Sequence, residues 1–245
     1  MPGLIAFTGG QAALTLNAKI IPAHQSLAVK AGDRLEVGPI LSGCRLYLAL
    51  QGEIEATPWL GSPSTYLPAK LGGQLYQDGD HLASKGEPRA LDLETPHPLR
   101  PFMGHSWTLR AICGAEFEDL PEAEQNRFFS HVFNVSARAS RMGVGLIGPA
   151  IEFAQTGQMA SVPVFPGTLQ WPPKGEAFLL LSDAQTSGGY PRLVQTIRAD
   201  RHLLGQLRPF DRLQFQRVTP DQARRVLKAK TKLLQDWLGD DFHLF

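Results

Sequence analysis

The run 183–191 holds the side chains of this sequence that are best suited to chemistry. It reads Asp-Ala-Gln-Thr-Ser-Gly-Gly-Tyr-Pro. A carboxylate such as Asp183 can act as a general base, the glycine pair lets the backbone approach a ligand, and Tyr190 offers an apolar ring with a hydroxyl tip. The run therefore predicts a binding site. An ordinary Gly-Gly turn with a capping aspartate is the alternative.

Two flanking patterns position this run in the fold. Residues 178–181 form an apolar, strand-like run before it, and the alternating residues 193–197 follow it. The polar residues are thus predicted to lie in a loop where a buried strand ends. Arg141, in a Ser-Arg-Met-Gly turn, can bind a carboxylate through two parallel hydrogen bonds, or it can form a structural ion pair instead.

Most of the remaining sequence predicts β-structure. Short apolar or alternating runs, separated by Gly, Pro, Asn or Asp, occur at 4–7, 12–16, 27–29, 34–37 and 44–50. We predict a mainly β fold, a barrel or a sandwich, with a few peripheral α-helices. An N-terminal β part is expected over residues 1–83 and a larger C-terminal part over residues 104–245, joined by a connection at 84–103.

Two helices and three turns can also be predicted. At 219–237 the residues Thr-Pro-Asp-Gln supply an N-cap, a proline at the first helical position and a capping-box partner, and a helical apolar stripe that should pack on the barrel follows. A second helix is predicted at 121–130, with Phe128 or Phe129 pointing inward. The aspartates of three similar turns, Asp33, Asp80 and Asp211, are predicted to accept turn N–H groups and to have no catalytic role.

Composition excludes several classes of protein. The chain has 24 basic and 23 acidic side chains among its 245 residues, so its charge gives no reason to expect nucleic acid or an anionic membrane as a partner. No apolar run approaches the ~18 residues that a membrane-spanning helix needs, and no secretory signal pattern is present. Cys44 and Cys113 lack the spacing of a disulfide framework or a zinc site. We expect a cytoplasmic protein without a metal.

Residues 143–148 match the Gly-x-Gly-x-x-Gly pattern of dinucleotide-binding loops. Pro149 leaves little room for the helix that such a loop must open, and no acidic residue lies about 20 positions downstream to bind a ribose. We interpret these glycines as a glycine-rich β turn beside Arg141.

An ordered series of short motifs resembles one known family. The series comprises residues 31–35, 46–49, 61–65, 140–143 and 148–149, then Ser161, Pro163, Gly167, Gln170 and Pro172, then 183–191, Asp200 and Gln206. In this order the motifs are similar to the C subunit of bacterial ATP-dependent 5-oxoprolinase, a family also called allophanate hydrolase subunit 2, biotin-dependent carboxyltransferase or KipA-like proteins. The resemblance extends to part of the carboxyltransferase domain of urea carboxylase.

This resemblance implies a cyclophilin-like β-barrel within a multi-subunit enzyme that opens 5-oxoproline to glutamate with ATP. It implies that Asp183 positions the substrate amide or acts as a base, that Arg141 binds the substrate carboxylate and that Thr186 fixes a polar oxygen. The implied substrate-binding residues are Gln170, Gln185, Gly188, Gly189, Tyr190 and Pro191. Gln170 can offer its amide to a lactam or urea-like group, or can simply close a loop.

The resemblance also implies partners and cofactors. The expected partner is the B subunit of the same enzyme or a KipI-like protein, and the A subunit is a further component. The sequence has no Gly-x-x-x-x-Gly-Lys-Ser/Thr loop for phosphate, so ATP is expected to be shared with or bound by partner subunits. Two alternatives stay open: a carboxyltransferase component that acts on urea or allophanate-like amides with carboxybiotin, and a non-catalytic regulator that binds a KipI-like kinase inhibitor.

The sequence departs from the family pattern in several places, one of them at residues 51–55, where the family tends to read Gly-Gly-Ile-Asp. The family's additional N-terminal segment, with Val-Gln-Asp-x-Gly-Arg and Ser-Gly-Ala-x-Asp type motifs, has no counterpart in this sequence. Beyond Arg141, the aromatic, basic and acidic residues common in the family are replaced by Val144, Gly145 and Ile147. A barrel without leading strands exposes sheet edges, which we expect a partner or a second copy to cover.

Overall fold

The computed structural model describes residues 3–72, 75–86, 93–149, 151, 159–172, 177–239 and 242. The chain divides into two compact units, one formed by Met1–Leu41 and Leu46–Arg100 and the other by Ser42–Arg45 and Pro101–Phe245. The part boundaries expected from the sequence stay a prediction, and residues 87–92 of the expected connection lie outside the described residues.

The first unit contains the strands β1 Gly3–Leu16, β2 Lys19–Ile20, β3 Ser26–Val29, β5 Glu53–Ile54, β6 Ser84–Lys85 and most of β4 Leu35–Leu50. Residues Ser42–Arg45 of β4 belong to the second unit. Strand β1 pairs with β2, β3 and β4, and its inward residues Ile5, Phe7 and Leu14 form the core of this unit. The separate runs predicted at 4–7 and 12–16 belong to one strand, as do those at 34–37 and 44–50. Gly9 and Gly43 have φ of 100° and 73°, so each long strand continues through a local irregularity that glycine tolerates.

The second unit is built around a closed β-barrel. Its strands, with a small flanking pair, are β7 Ser106–Cys113, β8 Phe133–Ala139, β9 Gly143–Ile147, β10 Val162–Pro163, β11 Thr168–Gln170, β12 Ala177–Leu180, β13 Ser187–Gly188, β14 Arg192–Thr196 and β15 Arg212–Arg217. The barrel order is β11-β12-β9-β8-β15-β7-β14, and β14 pairs back onto β11. Alternate residues of each strand point inward to a continuous apolar core, as period-two patterning requires. The predicted mainly β, cyclophilin-like barrel is confirmed.

The glycine-rich run at 143–148 is a strand and not the turn that we expected. Gly143 and Gly145 lie in β9, paired with β12. A Cβ on Gly143 would overlap the ring of Phe178 on β12, so this glycine serves close packing between strands. The resemblance to a dinucleotide-binding loop is therefore coincidental.

Three α-helices of the described residues lie at the periphery: α1 Glu122–Phe128, α2 Arg201–Leu204 and α3 Pro220–Leu238. Helix α1 buries Phe128, as predicted. Helix α3 begins with the predicted capping box, in which Thr219 accepts from the Gln222 backbone and the Gln222 side chain accepts from the Thr219 backbone. Its apolar stripe is only half-buried. No helix in the described part of the chain is long and apolar enough to cross a membrane.

The three aspartate turns share one geometry, which confirms their structural role. Each aspartate side chain accepts the backbone N–H of the residue three positions earlier, at 2.7 Å for Asp33, 2.7 Å for Asp80 and 3.2 Å for Asp211. Each aspartate also donates its own N–H to the carbonyl of that same residue. The residue before the aspartate has positive φ in all three turns: glycine in the first two, and Phe210, with φ of 74°, in the third.

We predict that Phe210→Gly stabilises the protein. A left-handed conformation costs an L-residue roughly 1–2 kcal/mol, and Phe210 is 82% exposed, so little packing offsets that cost. The larger unfolded-state entropy of glycine opposes part of the gain, which leaves an expected increase of about 0.5–1 kcal/mol in the free energy of unfolding. Urea unfolding of both proteins measures this difference. A variant less stable than the wild type would show that the Phe210 ring contributes more than its exposure indicates.

Lys230 of helix α3 contacts residues 199 and 202 of the same unit. Its ammonium group donates to the Ala199 carbonyl at 2.8 Å and lies 2.9 Å from Nδ1 of His202. Partial burial and the charge of Lys230 lower the pKa of His202 from 6.5 to about 4, against the opposing effect of Asp200. Arg110 also lies near this ring and favours its neutral form. The imidazole is therefore neutral at pH 7 and can accept from Lys230.

This arrangement predicts a loss of stability in mild acid. Below pH 6.5 the unfolded chain protonates His202, whereas the folded ring stays neutral down to about pH 4. The stability of the folded state is thus highest above pH 6.5 and falls as the pH decreases through that window. His202→Gln keeps an acceptor for Lys230 and should reduce the stability lost between about pH 6.5 and about pH 5 in urea unfolding. An equal loss in the variant and the wild type would contradict this assignment.

Candidate functional site

Arg141 and Asp183 form an ion pair at the surface of the barrel unit. Nε and one terminal nitrogen of Arg141 donate to the two oxygens of Asp183 at 2.7 and 3.1 Å. The Arg141 side chain is 57% exposed and that of Asp183 only 15% exposed. The fork of the guanidinium matches the carboxylate in a bidentate geometry, which fixes the orientation of both groups. The structure therefore brings together two of the three residues expected to be catalytic.

Backbone hydrogen bonds hold the loop that carries Asp183 on both sides. The Asp183 N–H donates to the Arg141 carbonyl at 3.0 Å, and the Leu181 N–H donates to the Met142 carbonyl at 2.9 Å. Farther along, the Thr186 carbonyl accepts from Val164, and β13 pairs with β10. The loop leaves β12 as predicted, and its backbone is positioned by the turn that contains Arg141.

Gln170 lies beneath the same loop. Its side chain is 2% exposed, and its Oε1 accepts a hydrogen bond from the exposed Gln185 amide at 3.0 Å. Its Nε2 is buried and has no hydrogen-bond partner among the described residues. A Cβ on Gly188 would overlap this nitrogen, so only glycine allows the loop to lie this close. A buried amide that lacks an acceptor costs about 1–3 kcal/mol, and such groups are uncommon enough to mark a site where a ligand could supply one.

The other predicted residues have different surroundings. The Thr186 side chain is exposed and forms no hydrogen bond with any described residue. Gly189 accepts from the Met159 N–H at 3.2 Å, and the Tyr190 side chain is exposed. Pro191 is buried and its carbonyl accepts from the Trp171 N–H at 2.9 Å. Gly189 and Pro191 thus shape the loop through their backbones, whereas Thr186 and Tyr190 face solvent.

The sequence did not reveal the ion pair that fixes the end of this loop. Arg192, which follows Pro191, donates its backbone N–H and two guanidinium nitrogens to Glu116 at 2.8, 2.9 and 2.6 Å, and a third to the Pro163 carbonyl at 3.3 Å. The hydrogen bonds from Arg192 hold the pKa of Glu116 below its ordinary value. Glu116 is 76 residues distant in sequence and belongs to no recognisable motif.

A second unpredicted contact reaches the turn before Arg141. Arg45 of β4 donates to the carbonyls of Gly205 and Ser140 at 2.5 and 3.3 Å. Gln206, which is 3% exposed, accepts from the backbone N–H groups of Cys44 and Arg45 and donates to the Arg45 carbonyl. The sequence offered two separate signals of this contact, an arginine inside the apolar run 44–50 and Gln206 in the motif series, and nothing connected them.

The Arg141–Asp183 ion pair and the Gln170 amide can each bind part of a small polar molecule. Arg141 offers an exposed cationic edge for a carboxylate, Asp183 offers acceptor oxygens, and Gln170 offers an amide donor. Within the described residues, no group of His, Cys, Asp or Glu side chains is arranged to hold a metal ion. The arrangement suits recognition of a carboxylate and an amide by hydrogen bonds.

Comparison with known proteins gives a consistent result. The chain is 32% identical to the 5-oxoprolinase C subunit of Escherichia coli (strain K12) over 231 residues, which cover 93% of this chain and 73% of that protein. It is 29% identical to urea amidolyase of Saccharomyces cerevisiae over 249 residues, which cover 93% of this chain and 14% of that protein.

A solved structure agrees with these relatives. The crystal structure of the Kluyveromyces lactis urea carboxylase matches with a TM-score of 0.88 and 26% identity, over 100% of this chain and 24% of that chain. The chain thus spans less than a quarter of the length of these two fungal proteins. Residues 1–217 match the family described as carboxyltransferase domain, subdomain A and B. The chain belongs to this carboxyltransferase domain family.

Proposed function

We propose that this chain is one component of an ATP-dependent enzyme that opens 5-oxoproline to glutamate, and that it contributes substrate-binding groups. The observation that carries the proposal is the extent of the match to the Escherichia coli oxoprolinase protein, which covers 93% of this chain and 73% of that protein. By contrast, the fungal relatives contain several times more polypeptide. A role within an enzyme complex follows from both groups of relatives.

The Arg141–Asp183 ion pair is suited to bind 5-oxoproline. 5-Oxoproline has one carboxylate and one ring amide, and the exposed edge of Arg141 can bind the carboxylate while Asp183 keeps it oriented. The Asp183 oxygens then lie beside the bound molecule, where they can accept the ring N–H or remove a proton from the attacking water.

The Gln170 side chain supports a substrate whose amide N–H and C=O lie on the same edge, as in a lactam. In a lactam the N–H and the C=O lie on the same edge, and a primary carboxamide can pair with both through one acceptor and one donor. Gln170 now uses only its acceptor, with Gln185, and its buried donor has no partner in the described part of the chain. Substrate binding would require Gln185 to leave Oε1 and the Gly188 backbone to move away from Nε2, and the substrate carbonyl would then supply the missing acceptor. Urea-like amides present the same edge, so Gln170 could also pair with them.

The sequence of this chain offers no recognisable motif for binding ATP. The sequence has no phosphate-binding loop, so we expect ATP to bind on a partner protein of the complex. Bound on a partner, ATP would supply a phosphoryl group to the amide oxygen, which would make that oxygen a leaving group. The residues of this chain bind the carboxylate, orient the amide and accept a proton.

A reconstituted assay tests the proposal. The chain is mixed with candidate A and B subunits, and ADP release is measured with and without 5-oxoproline, with omission of this chain as the control. Release that requires both the chain and 5-oxoproline supports the proposal. Release that is equal without the chain, or the absence of any release, contradicts it.

A second candidate function is carboxyl transfer from carboxybiotin to a urea-like amide. The TM-score of 0.88 with urea carboxylase favours it. The chain has no Met-Lys-Met type biotin-accepting sequence, so a biotinylated partner would be needed. Transfer of labelled carboxyl groups to urea, dependent on this chain, would favour this function over lactam opening. Tight partner binding without either activity would favour the regulatory alternative.

A further inference from the structure

The described residues of the segment 51–86, namely 51–72 and 75–86, form no hydrophobic core of their own. None of its described residues is buried, and all but four are exposed. Its backbone is nevertheless ordered by the β5–β6 pair, by bridges between Trp59 and Ser62 and between Tyr66 and Leu71, and by the Asp80 turn. Apolar burial drives the folding of most segments of this size, and the described residues of this one lack it.

The same segment exposes an unusual number of large apolar side chains. They are Ile54, Trp59, Leu60, Tyr66, Leu67, Leu75, Tyr76 and Leu82. Three of them, Ile54, Tyr76 and Leu82, line a cavity of about 760 Å³ that also contains Glu55 and His81. Large exposed apolar side chains that line one cavity mark an interaction site more often than a free surface.

The backbone conformation of Leu60 is a second, independent indication that this segment is an interaction site. It is 94% exposed and has φ of 49°, and the next residue, Gly61, has φ of 79°. Two central residues with positive φ are typical of a type I′ hairpin turn, which favours Asn or Gly at its first position. The two-residue hairpin between β1 and β2 has Asn17 there, with φ of 52°. A strained, exposed leucine at the hairpin tip indicates a function other than folding.

We infer that the segment 51–86 is the docking surface for a different polypeptide, one that presents apolar side chains bordered by Lys or Arg. The segment has four carboxylates, at Glu53, Glu55, Asp78 and Asp80, against two ammonium groups, at Lys70 and Lys85. Lys85 already pairs with Glu55 at 3.3 Å. The surface is therefore acidic and favours a basic partner.

A polypeptide fits this surface better than a small molecule or a second copy. A small molecule in the cavity would leave Trp59, Leu60 and Leu75 exposed, since none of them lines it. Two copies joined by the same surface around a twofold axis would bring acidic segments together, which is unfavourable. The inference depends on the proposed function only for the choice of partner to test, the candidate B subunit.

Two variants test the inference in the absence of substrate and ATP. Leu60→Asn gives this hairpin the residue that its counterpart has at Asn17, so the variant should be at least as stable as the wild type. Its affinity for the candidate B subunit should fall by about 30-fold or more, as at an interface hot spot. Ile20→Asn is the matched control, since Ile20 is 90% exposed in the same unit but outside the segment, and it should bind like the wild type.

Hydrogen exchange of the backbone amides tests the same inference in the wild-type chain. Amides of 51–86 should exchange quickly in the free chain and become protected when the candidate B subunit is added, while barrel amides should not change. The inference is overturned if the B subunit does not bind, if it binds without protecting 51–86, or if Leu60→Asn binds as tightly as the wild type. It is also overturned if the chain alone forms dimers that Leu60→Asn dissociates. A complex that shows the expected protection but no turnover would contradict the proposed function alone.

Discussion

Asp183→Asn is expected to lower substrate-dependent ADP release by the reconstituted complex by about 100-fold or more, the usual loss when a general base is removed. Asparagine keeps the size of the side chain and one acceptor oxygen, but it can neither accept a proton nor balance the charge of Arg141. The pair is mostly exposed on the arginine side, so the free energy of unfolding should change by less than about 1 kcal/mol. Initial rates and urea unfolding measure the two effects separately.

Asp221→Asn is the control for this substitution. Asp221 also pairs with an arginine, Arg224, but both side chains are exposed and belong to α3, not to the loop 183–191. Its turnover should equal that of the wild type. Equal turnover in Asp183→Asn would remove Asp183 from the mechanism and leave the ion pair with Arg141 as a structural contact.

Gln206→Ala is expected to lower the free energy of unfolding by about 2–4 kcal/mol, because three backbone groups lose their partner. The Gln206 amide joins the Gly205 turn to residues 44–45 of β4 through three hydrogen bonds, at distances of 3.0, 3.1 and 3.0 Å. The residue is 3% exposed, so water cannot replace these bonds without opening the structure. Denaturant unfolding measures the loss.

Gln216→Ala is the matched control for Gln206. Gln216 is an exposed glutamine on β15, and its replacement should change the free energy of unfolding by less than about 0.5 kcal/mol. If Gln206→Ala were as stable as Gln216→Ala, the Cys44 and Arg45 backbone groups would not depend on this side chain. Some other interaction would then have to hold Arg45 in position to bond with Ser140.

Local sequence patterns predicted those features that depend on neighbouring residues. The capping box at Thr219 and the three aspartate turns require groups only three residues apart, so their geometry follows from the chain itself. The period-two alternation likewise predicted the strands. It did not predict that two long strands continue through Gly9 and Gly43, because a positive φ at glycine can equally end a strand.

Long-range side-chain contacts account for what the sequence could not predict. The bond between Arg141 and Asp183 joins two loops 42 residues apart, and that between Arg192 and Glu116 spans 76 residues. The sequence suggested each of the first two residues separately but gave no reason to pair them. The orphaned amide of Gln170 depends on the approach of Gly188, which only the folded barrel defines. Such contacts are set by topology and not by spacing along the chain.

The central claim is that the loop 183–191, with Arg141 and Gln170, binds the substrate. The most direct test is an NMR titration, in which 5-oxoproline is added to the nitrogen-15-labelled chain assembled with its partner subunits. The account predicts saturable shifts of the side-chain amides of Gln170 and Gln185 and of Arg141 Nε, while Gln216 and Arg224 do not move. If those three signals stay in place at a substrate concentration that the complex turns over, the substrate binds elsewhere and the assignment of this site is wrong.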